Sequence, residues 1–144
     1  MSLAPAADPH ETRSDLERTI CEELAAQGLS HEHRSLHFRV RDASGAPLGY
    51  DPTLVVRRGP IVFLVEAVTE ATDASRIALM GRFLEQHSPD LVLVVLARRA
   101  VLETLPAEAY DERYDAADVP RAVRRIREQD PEGIVEPFLK DRAA

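Results

Sequence analysis

The chain has 144 residues and a mass of 16.0 kDa, the size of one domain able to bury roughly two-thirds of the surface its unfolded form exposes. Its net charge is −7, from 25 acidic and 18 basic residues, and all the basic residues but Lys140 are arginine. The acidic balance argues against a nucleic-acid coat protein, and the single cysteine, Cys21, excludes a disulfide scaffold. The lone lysine excludes a mechanism that needs one in the middle of the fold.

Residues 1–13 carry two prolines and small residues without the apolar core of a signal peptide, and they read as a disordered lead-in. Ser14-Asp15-Leu16-Glu17 fits a capping box. It opens a helix to about Gln27, with Gly28 as a left-handed terminator. At about 100° per residue, Leu16, Ile20 and Leu24 share one face. Glu23 lies in that arc and is the acid expected to point inward.

Residues 35–41 alternate apolar and polar and read as a first strand, followed by a turn at 42–45. A second strand is expected over 48–56, hairpinned to the first. A tight connection follows at 57–60. A third strand over 61–68 is apolar on both faces, hence central, and only Glu66 interrupts it. Thr72 or Asp73 caps a helix to about His87, with Ile77, Met80, Phe83 and Leu84 inward and Arg76 and His87 in the same arc. A fourth strand covers 91–97.

A polar stretch then holds the near-repeat Ala109-Tyr110-Asp111 and Arg113-Tyr114-Asp115. Asp118-Val119-Pro120 opens a last helix, and 130–144 read as an irregular tail. The expected class is α/β, one domain over 14–129. Its mixed central sheet has three antiparallel strands first, a fourth strand after a crossover helix, and flanking helices. The longest apolar runs are too short to span a membrane, so a cytoplasmic location is expected, and heavy use of Ala and Arg suggests a GC-rich bacterial genome.

The first candidate site is Asp51 with Glu66. A hairpin centred near residue 58 would set Asp51 opposite residue 65 or 66, making the two carboxylates neighbours on one face. A carboxylate inside such a strand needs a partner. The partner could be a divalent cation such as Mg²⁺ or Mn²⁺, a shared proton, or an arginine such as Arg76, Arg39 or Arg41.

With these features, residues 14–97 resemble the PD-(D/E)XK nuclease superfamily, the restriction-endonuclease-like fold. They show an opening helix with Glu23, a hairpin, Tyr50-Asp51-Pro52, Val65-Glu66-Ala67-Val68, a helix and a strand. The resemblance implies Mg²⁺ ligation by Asp51 and Glu66, with Glu23 as a further ligand, and a lysine two places after the glutamate. That place is Val68. Arg76 can supply charge there but not a base near neutral pH.

The implied reading is a degenerate member that binds rather than cuts, an accessory or regulatory domain, with a homodimer giving Tyr110 and Tyr114 a role. One rival is a nuclease whose water is activated by metal alone. Another is a flavodoxin-like ligand-binding domain, which requires a parallel sheet.

The second candidate is His31-Glu32-His33 with His37. His-x-His in a strand puts both imidazoles on one face, a spacing that suits Zn²⁺ or another transition metal, although no fourth ligand is evident. The competing reading is a set of exposed polar residues at a strand start. Third, Arg121, Arg124 and Arg125 share a helix face that could grip phosphate or pair with nearby acids. Few aromatics, and no tryptophan, offer little for stacking single strands. There is no glycine-rich phosphate loop and no nucleophile elbow, and Cys21 reads as a packing residue.

Overall fold

Two nearly unbroken apolar strands form the centre of the molecule, β5 (Ile61–Ala67) and β6 (Leu91–Ala97). The computed structural model describes residues 10–87 and 89–129. The main sheet has five strands in the order β1-β4-β5-β6-β7, with β1 at Glu32–His33, β4 at Leu54–Arg58 and β7 at Glu112–Asp115. β4 and β5 run antiparallel through a tight turn in which Arg58 pairs with Ile61. Gly59 supplies the positive φ of that turn, +61°. β5, β6 and β7 are mutually parallel. The crossover between β5 and β6 is helix α2 (Ala74–Gln86). The antiparallel β4–β5 pair excludes an all-parallel, flavodoxin-like sheet.

Alternation along the strands sorts the core into two layers. Leu54, Val56, Phe63, Val65, Val94 and Leu96 pack against α1 (Asp15–Ala26) and α4 (Val119–Arg127). Val55, Leu64, Leu93 and Val95 face α2, where Met80 and Phe83 are fully buried. α1 forms as its capping sequence directs: the Ser14 hydroxyl accepts from the Glu17 amide at 3.0 Å, and Gly28 takes φ +76° just beyond the helix.

The second expected strand is two strands. β3 (Pro47–Tyr50) ends before Asp51, and β4 begins at Leu54. Pro52 has no amide hydrogen to give a ladder, so the chain breaks there. β3 pairs only with β2 (Phe38–Arg41), and this hairpin is a separate two-stranded sheet lying against α2. The antiparallel partners of β5 and β4 in the main sheet are therefore β4 and β1.

The polar stretch after β6 holds a short helix α3 (Arg99–Leu102), a 3-10 turn at Ala107–Ala109 and the edge strand β7. Its Tyr110 packs on the α2-side core and its Tyr114 on the α1–α4 side. Residues 1–9 of the expected lead-in and the tail at 130–144 lie outside the described residues. Among the described residues, no helix is long and apolar enough to cross a membrane.

Candidate functional site

Glu66 is 2% exposed near the end of β5, on the face turned toward α2. Its carboxylate is held by four donors. The Tyr50 hydroxyl donates to Oε2, the Thr53 hydroxyl donates to Oε1 at 2.5 Å, and the Thr53 amide donates to Oε2 at 3.3 Å. The fourth is Arg76, in the first turn of α2, whose Nη2 lies 2.9 and 2.8 Å from the two carboxylate oxygens. The same Nη2 reaches the Asp51 carbonyl at 3.0 Å, and the guanidinium stands 5.3 Å over the Tyr50 ring. Burial works against the Arg76 charge, but Glu66, together with Tyr50 and Asp51, outweighs it and raises the guanidinium above its ordinary value. Burial, then the neighbouring Glu66 charge, pushes the Tyr50 phenol well above its usual range.

The structure does not join Asp51 to Glu66 as a carboxylate pair. The ladder places Leu54 against Val65, which brings Thr53 rather than Asp51 beside Glu66. The expected hairpin centre was too early, because Gly59-Pro60 alone makes the turn. The Asp51 side chain, half-exposed, instead accepts from His37 Nδ1 at 2.6 Å. Val68, at the lysine place, is buried apolar packing. Beside this network lies a cleft of about 480 Å³ lined by Arg13, Arg34, His37, Asp51, Thr53 and Arg76.

Glu23 is also not part of this site. It accepts from Gln27 Nε2 at 2.7 Å, one turn along its own helix, and Gln27 in turn bonds the Pro120 carbonyl at the start of α4. The buried acid of α1 is Glu17, 1% exposed. Glu17 lies three residues before Ile20 and seven before Leu24, so it shares their inward face. Arg34 grips both its oxygens at 3.0 and 2.6 Å, His33 Nδ1 donates at 2.8 Å, and the Arg13 amide at 3.0 Å. Burial is the largest single influence on Glu17 and opposes its charge. Arg34, the Arg13 amide and His33 together outweigh it and hold the carboxyl below its ordinary value. Arg34 has φ +51°, the one non-glycine left-handed residue among those described. That conformation costs about 1–2 kcal/mol, and Arg34 makes two hydrogen bonds to Glu17 from it.

One helical turn after Glu17, Cys21 projects toward the same place. His31 Nε2 lies 3.1 Å from its Sγ, His33 Nε2 3.3 Å and His10 Nδ1 3.7 Å. The ligand-type atoms of the four residues all fall within 4.8 Å of one another. His31 Nδ1 is held by the Leu29 carbonyl at 3.1 Å. Burial lowers the His31 pKa, aided by His10 and His33 and opposed by the bond to Leu29. Sequence reasoning found His31 and His33 but paired them with His37, which sits at Asp51 instead. Cys21 and Glu17 were legible as an i, i+4 pair on one helix face; His10 left no signal.

Two arginines of the last helix, Arg121 and Arg125, are engaged within the chain. Arg125 forks onto Glu112 at 3.2 and 2.7 Å, and Arg121 lies 6.0 Å over the Tyr114 ring. His87 stacks on Phe83 at 4.5 Å at the core edge.

No family model, curated protein or solved structure matches the chain.

Proposed function

We propose that the chain is a catalytically silent relative of the PD-(D/E)XK nucleases that serves as a binding or accessory domain. The observation that carries this reading is Arg76 seated on both oxygens of Glu66. Support for the fold comes from the order of α1, an antiparallel β4–β5 pair, the α2 crossover and a parallel β6, the order implied by the resemblance.

A Mg²⁺ ion prefers six oxygens at about 2.1 Å and would have to expel the guanidinium to reach Glu66. Asp51 is turned to His37, and among the described residues no lysine stands nearby to activate water. The adjoining cleft does not favour phosphate chains either. Its three arginines, Arg13, Arg34 and Arg76, are balanced by Asp51 in the wall and by Glu17 and Glu66 behind Arg34 and Arg76.

The test is incubation of the full chain with duplex and single-stranded DNA and RNA in Mg²⁺ or Mn²⁺. No cleavage above a buffer control is expected. Cleavage that disappears in Glu66→Ala would overturn the reading in favour of a metal-dependent nuclease.

A further inference from the structure

We propose that His10, Cys21, His31 and His33 form a tetrahedral Zn²⁺ site that ties the segment before α1 to α1 and β1. Zn–S bonds of about 2.3 Å and Zn–N bonds of about 2.0–2.1 Å at tetrahedral angles put sulfur and nitrogen about 3.6 Å apart. The three separations here are 3.1, 3.3 and 3.7 Å. The imidazole centroids stand 4.8, 5.2 and 5.3 Å from one another and none of the three pairs is parallel, as rings radiating from a common centre would be.

The proton count points the same way. The Leu29 carbonyl and the Glu17 carboxylate only accept, so Nδ1 of His31 and of His33 each carries the ring proton. In the neutral form, each ring aims an Nε2 lone pair at Sγ. A thiol has one proton and can satisfy only one of these two acceptors. A cation satisfies both, and the sulfur as well.

The surroundings are those of a supported centre. Metal-bound histidines usually give their second nitrogen to a carboxylate or carbonyl, which sets the tautomer and the ring orientation. Glu17 does this for His33 and Leu29 for His31. Glu17 and Cys21 lie one turn apart on α1, so a single helix face supplies both a ligand and its supporting acid. His31 and His33 stand two apart at β1, on one side, while the intervening Glu32 turns away to Ser35 and Arg57.

Three imidazoles and a thiolate suit zinc rather than Mg²⁺ or Ca²⁺, which take oxygen. Four protein ligands close the coordination shell, so the role is to brace the fold and not to activate water. On binding, the thiol gives up its proton as the Zn–S bond forms, and the imidazoles contribute lone pairs. One proton is released per ion, with no change of oxidation state.

This inference stands independently of whether Glu66 takes part in catalysis. The test begins with elemental analysis of the full chain purified without chelator, followed by Co²⁺ titration of the chelator-treated chain. About one zinc per chain is expected. Co²⁺ should give the intense ligand-field bands of a tetrahedral site together with a sulfur-to-cobalt charge-transfer band, and zinc should abolish both. Cys21→Ser should remove the charge-transfer band, and His37→Ala should leave it intact. Glu17→Gln should weaken zinc binding about 10–100-fold while the ligands remain.

A zinc-free chain whose cobalt spectrum is weak and octahedral would overturn the proposal. So would a charge-transfer band that survives Cys21→Ser, or preferential retention of copper. The unsubstituted chain alone gives the deciding spectrum, so a variant that fails to fold leaves the test intact.

Discussion

A single terminal nitrogen of Arg76 lies 2.9 and 2.8 Å from the two carboxylate oxygens of Glu66. That contact lets an otherwise apolar central strand carry an ionised acid through the core, because an unpaired carboxylate there would be costly to bury. Arg76→Ala leaves Glu66 with only hydroxyl and amide donors. The expected loss is about 3 kcal/mol, the low end for a broken buried pair, since the Arg76 side chain is 33% exposed. Urea unfolding should show a lower midpoint at unchanged slope. An unchanged midpoint would mean that Glu66 does not depend on Arg76.

Tyr50 makes stability fall in alkali. Its phenol is fully buried against Glu66, and its pKa lies well above 10.0, so the fold prefers the protonated form. Below pH 10 neither the folded nor the unfolded phenol ionises, and its contribution is constant. Above pH 10 the unfolded chain ionises first, and stability falls by up to about 1.4 kcal/mol per pH unit until the folded value is reached. Tyr114, also raised, adds a part of this slope. Ultraviolet titration of the native protein should therefore show Tyr50 ionising only on unfolding. Tyr50→Phe should flatten the alkaline slope, and a slope equal to that of the unsubstituted chain would refute the assignment.

The two ends of α1 can be checked separately. Ser14→Ala removes the hydroxyl that accepts from the Glu17 amide and should cost about 1 kcal/mol. Gly28→Ala meets no heavy atom within 4 Å, so its cost of about 1–2 kcal/mol is purely that of the +76° φ. Gly28→Asn should cost less, because asparagine tolerates that conformation. Thermal melts of the three variants measure this order. Equal melting temperatures for the alanine and asparagine forms would show that the backbone is not the cause.

Local signals carried much of the fold. The capping residues of α1, the glycine at its end and the two apolar central strands were legible because they depend on neighbours in the chain. An expected strand over 48–56 runs through Asp51-Pro52-Thr53, where Pro52 announces the break. A register error of a few residues then moved Asp51 onto Glu66 in place of Thr53. The edge strand β7 carries little hydrophobic pattern, since the parallel ladder to β6 and its packing hold it rather than its own alternation.

In the site, the helix arc offers Arg76 as a partner of Glu66, whereas the arc of α1 points to Glu23 and the capping box accounts for Glu17, the acid that is in fact buried. Which acid is buried depends on Arg34 and His33 arriving from beyond the helix. Likewise His10 reaches Cys21 only through the path of the chain before α1, which no spacing rule encodes.

The central claim is that the ion site of this fold lies at α1 and β1 and that Arg76 takes the place of an ion at Glu66. Anomalous diffraction from crystals soaked in turn with Zn²⁺ and Mn²⁺ tests both halves in one measurement. The expected result is a zinc peak among Cys21 Sγ, His31 Nε2, His33 Nε2 and His10 Nδ1, and no manganese peak beside Glu66. A manganese peak bridging Glu66 and Asp51, or no zinc peak at Cys21, would contradict it.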